Sequence, residues 1–167
     1  MSGAGAPFSA AGGSAGGSAG AATRRPPRPG FALAVLATRW NADIVELLVD
    51  GALRAARDEG IEDPRVHYVD GALELPLAAA RLAGTADAVV ALGAVIEGET
   101  PHFEHVCRFA VDGLGRVGLD TDTAIGNGVL TCHTREQALA RSGGEGASED
   151  KGYEAARAAI DLAGLRP

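Results

Sequence analysis

The chain has 167 residues, 46% hydrophobic and 22% charged, with a net charge of −7. Length and composition fit one globular domain with an attached tail. The acidic balance excludes a general nucleic-acid binder, which carries a basic surface. The longest apolar run, Ala88 to Ile96, is far too short to span a membrane.

Residues 1–30 hold eight Gly, eight Ala, four Ser and four Pro. Such a segment buries too little apolar surface to offset the cost of ordering, so a disordered tail is expected there. It carries three Arg and no acid. The remaining 137 residues therefore carry −10, since −7 minus +3 is −10. The N-terminus has no apolar segment of signal-peptide type. Two cysteines, Cys107 and Cys132, make neither a disulfide framework nor a metal site. Both observations fit a reduced, cytoplasmic interior.

The body is expected over 31–167. Phe31 to Ala37 is a continuous apolar run of strand length, as in a strand buried on both faces. Ile44, Leu47, Leu48, Ala52 and Ala55 then share one helical face. Asn41 stands as its N-cap and Gly60 as its stop. Arg65–Val69 reads as a second strand and Glu74–Leu82 as a helix with Pro76 in its first turn. A third strand is expected over Asp87–Gly93 and a helix over Thr100–Val111. A fourth strand is expected over Ala124–Val129, and closing helices over Thr134–Arg141 and Glu149–Leu165. Strand and helix alternate throughout, which predicts a doubly wound parallel α/β sheet. Ligands of such sheets bind beyond the carboxyl ends of the strands.

The residues just after each strand are therefore the candidates. Trp40 follows the first; its indole can stack on a flat heterocycle or simply pack. Gly71 to Pro76 follow the second. Glu74 can accept hydrogen bonds from a polyol or only serve the helix dipole. Gly93 to His105 follow the third. Thr100 as N-cap and Pro101 as first helical residue would leave amides free to seat a phosphate. His102, in the first turn, suits proton transfer near neutral pH. His102 and His105 lack a fixed third ligand, so no metal site is assigned. After the fourth strand, Gly126 and Gly128 flank Asn127 and would let backbone approach a ligand. Arg141 offers a fork suited to phosphate oxygens, or is a surface charge. Gly113-Leu114-Gly115-Arg116-Val117-Gly118 matches G-x-G-x-x-G but follows a helix. It reads as a helix-to-strand turn, not a dinucleotide loop.

These segments together resemble the lumazine synthase family. The most specific piece is Ala91-Leu92-Gly93 followed by Val95-Ile96-x-Gly98-x-Thr100-Pro101-His102-Phe103-Glu104. Gly71-Ala72-Leu73-Glu74-Leu75-Pro76, Gly128-Val129-Leu130-Thr131 and Glu149-Asp150-Lys151-Gly152 support it in the same order. The resemblance implies a flavodoxin-like three-layer sandwich with a four-stranded parallel sheet. It implies a transferase of riboflavin biosynthesis without cofactor or metal. Its substrates would be 5-amino-6-(ribitylamino)uracil and 3,4-dihydroxy-2-butanone 4-phosphate.

Carried over by the resemblance, Trp40 would stack on the pyrimidine, and Ala72, Leu73 and Glu74 would hold the ribityl chain. Ala94, Val95 and Ile96 would read the pyrimidine edge through backbone groups. Glu99, Thr100 and Arg141 would hold the phosphate, with His102 as general acid/base. Asn127 would reach the ring from a neighbouring subunit, and Lys151 would steady the phosphate region or the subunit contact. Position 97 often carries Arg or Lys in the family and is Glu97 here. Position 127 is often Phe. The turn from Ser142 to Asp150 is longer and more acidic than in sixty-subunit cages, so a homopentamer, or a decamer of two, is expected. A non-catalytic lumazine- or flavin-binding paralogue is the alternative.

Overall fold

The computed structural model describes residues 30–165; the tail expected over residues 1–30 lies outside them except for its last residue. Four strands, β1 (Leu33–Thr38), β2 (Arg65–Val69), β3 (Ala88–Ile96) and β4 (Ala124–Cys132), form one sheet in the order β2-β1-β3-β4, with every pair parallel. Five helices connect and close it: α1 (Ala42–Asp58), α2 (Leu75–Ala83), α3 (His102–Thr121), α4 (Arg135–Leu139) and α5 (Lys151–Ala163).

Side chains alternate across the two central strands and so divide the core in two. Leu33, Val35 and Ala37 of β1 and Val90, Leu92 and Ala94 of β3 pack with α1 and α5. Ala34, Leu36, Val89 and Ala91 face the other way, onto Leu75 and Ala79 of α2 and Val106, Ala110 and Leu114 of α3. This is the three-layer arrangement expected of a flavodoxin-like sandwich.

Helix α1 ends as its sequence predicts. Gly60 takes a positive φ of 72°, its N–H bonds Arg57 O at 3.1 Å, and the N–H of buried Ile61 bonds Ala56 O at 2.9 Å. This is a Schellman stop. Asn41 holds the N-cap position as expected, its carbonyl accepting the Val45 N–H at 3.0 Å, but not by a side-chain cap. Its own backbone is left-handed (φ 55°).

One glycine segment corrects the sequence reading, and three further glycines let helix α5 pack closely. The Gly113–Gly118 segment is not a turn but the interior of α3. A Cβ on Gly113 would lie 2.6 Å from Pro76 Cγ, so the glycine lets α2 and α3 touch. Gly126 and Gly128 also have a packing role. A Cβ on Gly126 would meet Ala155 O of α5 at 2.3 Å, and one on Gly128 would meet Leu92 Cδ2 of β3 at 2.6 Å and Ala155 Cβ of α5 at 3.2 Å. Gly152 performs the same service between α5 and α1, since its Cβ would be 2.0 Å from Leu48 O.

Candidate active site

The sheet order places a topological switch between β1 and β3: the chain leaves β1 for β2 on one side and returns as β3 on the other. Strands that part in this way leave a crevice beyond their carboxyl ends. The β1–β3 pairing stops at Ala37↔Leu92, whereas β3 continues to pair with β4 as far as Ile96↔Cys132. Ala94, Val95 and Ile96 are thus the end of β3 and not a loop, as the sequence reading had them. Their β1-facing side has lost its strand neighbour.

A cavity of about 500 Å³ fills that gap, lined by Trp40, Ala72, Leu73, Glu74, Ala94, Val95, Ile96 and His102. Eight of the thirteen expected site residues therefore meet in one place. Trp40 is 73% exposed, so it does not pack in the core. Its loop is tied down by Trp40 N–H to Asp70 O at 3.3 Å and by an Arg39–Asp70 ion pair at 3.0 Å. Glu74 Oε2 accepts the Gly71 N–H at 2.9 Å, which folds the Gly71–Glu74 turn back towards the indole.

Asn41 is a cavity residue that sequence reasoning took only for a cap. Its Nδ2 donates to Ala94 O at 2.8 Å, bridging the β1 exit to β3 and occupying that carbonyl. Asn41 makes this bond from a left-handed backbone (φ 55°), which Asn tolerates better than most residues. The position before a helix signalled something short and polar; its partner 53 residues away left no local trace.

Helix α3 begins at His102, one residue later than the Pro101 start expected. Pro101 holds the cap position with φ −60°, and the Glu104 N–H reaches its carbonyl at 3.2 Å. Thr100 thus stays outside the helix and makes no cap bond. It lies with Glu99 in an exposed loop that lines neither cleft described here. His102 is exposed at the cavity margin.

Arg141 lies along β4. It lines a second cleft of about 360 Å³ with Asn127, Thr131 and Lys151, along the outer edge of β4. Arg141 Nη1 donates to Gln137 O at 2.9 Å, and its Nε lies 3.6 Å from Glu149. Lys151 sits 2.7 Å from both Glu149 and Glu154. These hydrogen bonds hold the ammonium above its ordinary pKa, and Lys151 in turn holds the Glu149 carboxyl below the usual range. Asn127 Oδ1 accepts the Val129 N–H at 3.1 Å. Asn127 also borders a larger apolar groove of about 580 Å³ between α3, β4 and the end of α5. Leu119 and Leu165 are 86% and 78% exposed beside it.

Fold and crevice define a doubly wound α/β protein with a candidate small-molecule cavity at its switch point. The family model for 6,7-dimethyl-8-ribityllumazine synthase matches residues 30–166. The chain is 57% identical to the 6,7-dimethyl-8-ribityllumazine synthase of Frankia casuarinae, over 84% of this chain and 88% of that protein. It is 52% identical to that of Renibacterium salmoninarum, over 80% and 88%, and 54% identical to that of Corynebacterium efficiens, over 83% and 86%. The chain belongs to the 6,7-dimethyl-8-ribityllumazine synthase family.

Proposed function

We propose that the chain condenses 5-amino-6-(ribitylamino)uracil with 3,4-dihydroxy-2-butanone 4-phosphate to give 6,7-dimethyl-8-ribityllumazine, phosphate and water. The observation that carries this reading is the convergence of Trp40, Glu74 and His102 on the switch-point cavity. An indole for a flat ring, a carboxylate for hydroxyls and an imidazole for protons are what this reaction asks of a protein. The substrate amine attacks the ketone and loses water to form an imine. Phosphate then leaves, the carbon skeleton tautomerises, and the ring closes with loss of a second water. Each step moves protons between groups that are held in place, and none needs a covalent protein nucleophile.

In this reading the indole of Trp40 stacks on the pyrimidine. Ala72, Leu73 and Glu74 line the ribityl chain, and the free end of β3 at Val95 and Ile96 offers backbone groups to the ring edge. Phosphate sits against the amides at the start of α3, beside Glu99 and Thr100. Arg141 lies with Asn127 and Lys151, so these three complete the site from the next subunit. The exposed leucines around the β4 groove support a neighbouring copy there, because a soluble chain rarely leaves so much contiguous apolar surface uncovered. The assembly is a homopentamer, or two pentamers paired, working in the cytoplasm where Cys107 and Cys132 stay reduced.

Mixing both substrates with the protein and following lumazine absorbance and phosphate release tests the activity. No acceleration over the spontaneous reaction would refute it and favour a binding paralogue. His102→Ala should slow turnover without abolishing it, because positioning alone still helps. Light scattering at micromolar protein should report a pentamer or decamer; a megadalton particle would refute that assembly.

A further inference from the structure

Glu97 is an acid at the entrance to the loop that leads to the proposed phosphate seat, where a bare carboxylate would repel an anion. The structure shows where it points. Glu97 is the first residue beyond β3, and its N–H continues the ladder to Cys132 O at 2.9 Å. Its Oε2 lies 2.5 Å from Nδ1 of His133, the first residue beyond β4. A ring nitrogen that close to a carboxylate oxygen must carry the proton, so Nδ1–H donates.

His133 is itself held from two other directions. Its N–H donates to Gln137 Oε1 at 3.0 Å, inside the turn that Thr134 caps by accepting the Gln137 N–H at 3.3 Å. Its ring leans on Phe103, in the first turn of α3, with centroids 6.1 Å apart. Glu97, His133 and Phe103 thus bracket the exits of β3 and β4 and the start of α3. Residues 98–101 are strung between the two ends of this bracket.

Glu97 and His133 are 47% and 71% exposed, so the pair adds little to stability. Its value lies in direction. Resting on the activity proposed above, we propose that His133 is a positioning and affinity-setting residue. It holds the Glu97 carboxylate in a hydrogen bond on the β4 side, not free to turn into the phosphate seat, and so sets the affinity for the phosphate-bearing substrate.

Steady-state kinetics on His133→Ala, Glu97→Gln and the double variant separate the possibilities. His133→Ala frees a carboxylate near the seat and should raise KM for dihydroxybutanone phosphate about fivefold at low salt, fading as salt screens it. KM for the ribitylaminouracil should change less than about twofold, because that substrate carries no phosphate. Adding Glu97→Gln should restore the phosphate-substrate KM, although the bracket remains broken. A defect that persists in the double variant would mean that His133 only holds the loop's shape, and would overturn the proposal. So would an unchanged KM in His133→Ala while the wild-type protein is active; that result would leave the activity itself standing. An inactive wild-type protein would overturn both.

Discussion

The cavity at the switch point and the cleft beyond β4 are built by different means. The first follows from topology. Once β1 and β3 part beyond Ala37 and Leu92, the loops after β1 and β2 must flank a gap, and Asn41 and Arg39 lock those loops to β3 and Asp70. The second depends on where α5 lies. Gly126, Gly128 and Gly152 let that helix settle against β4 and α1, and Lys151 at its first residue is balanced between Glu149 and Glu154. The switch-point cavity is framed from four segments of one chain. The β4 cleft has the cations but no ring-stacking surface, and it lies on an edge strand whose outer side pairs with no other described strand. In the proposed assembly, one site draws on both from two copies.

Disturbing α5 should break only one side of this contrast, and with the largest effect. Gly152→Ala puts a methyl about where Leu48 O already sits. Helix α5 cannot shift without losing Gly126 and Gly128 as neighbours, so we expect a loss of about 3 kcal/mol or more, read as a lower melting temperature. Gly98→Ala, with nothing within 4 Å of its Cβ, is the control that should melt normally.

Trp40→Ala and Arg141→Ala sharpen the same contrast at the level of activity. Trp40 is exposed, so its loss should leave melting unchanged and raise KM for the ribitylaminouracil about tenfold, the scale of a lost ring stack. Arg141→Ala should raise KM for the phosphate substrate by a similar factor. The decisive measurement mixes the two variants after dissociation and reassembly. If each site draws Trp40 from one copy and Arg141 from the next, random mixing leaves about a quarter of the sites intact, and normal kinetics reappear at that level. No recovery would place both residues in one chain's site.

How much of this was legible in the sequence depended on whether a residue's partner was local. The buried strands β1 and β3 announce themselves as apolar runs, and Trp40, Glu74 and His102 follow strands as the sheet rule requires. The last residues of β3 were not legible, because Ala94 to Ile96 look the same whether they end a strand or begin a loop. Only the pairing with β4 decides it. Gly113, Gly115 and Gly118 resemble a turn because glycine weakens a helix. Contact between α3 and Pro76 outweighs that local cost. Arg141 was grouped with Thr100 because both suit phosphate, but shared chemistry alone does not say where either side chain lies; Arg141 lines the β4 cleft.

The smallest effect concerns the charges that hold the β4 cleft. Glu149 has its carboxyl pKa lowered, first by the hydrogen bond from Lys151 and then by nearby positive charge. A carboxyl depressed in the fold contributes stability that is fully present above its unfolded pKa and is lost as pH falls through the folded value. The window therefore lies in acid, below the ordinary glutamate range. Glu149 lies at the surface with its side chain partly exposed, so the contribution is screened and small. Glu149→Gln should leave melting near neutral pH almost unchanged and slightly flatten the fall on the acid side. It should also release Lys151 and Arg141 from one carboxylate each, since both contact Glu149. If those cations serve phosphate in the neighbouring site, KM for the phosphate substrate should drop modestly in this variant. A rise would mean that Glu149 orients the cations and does not compete for them.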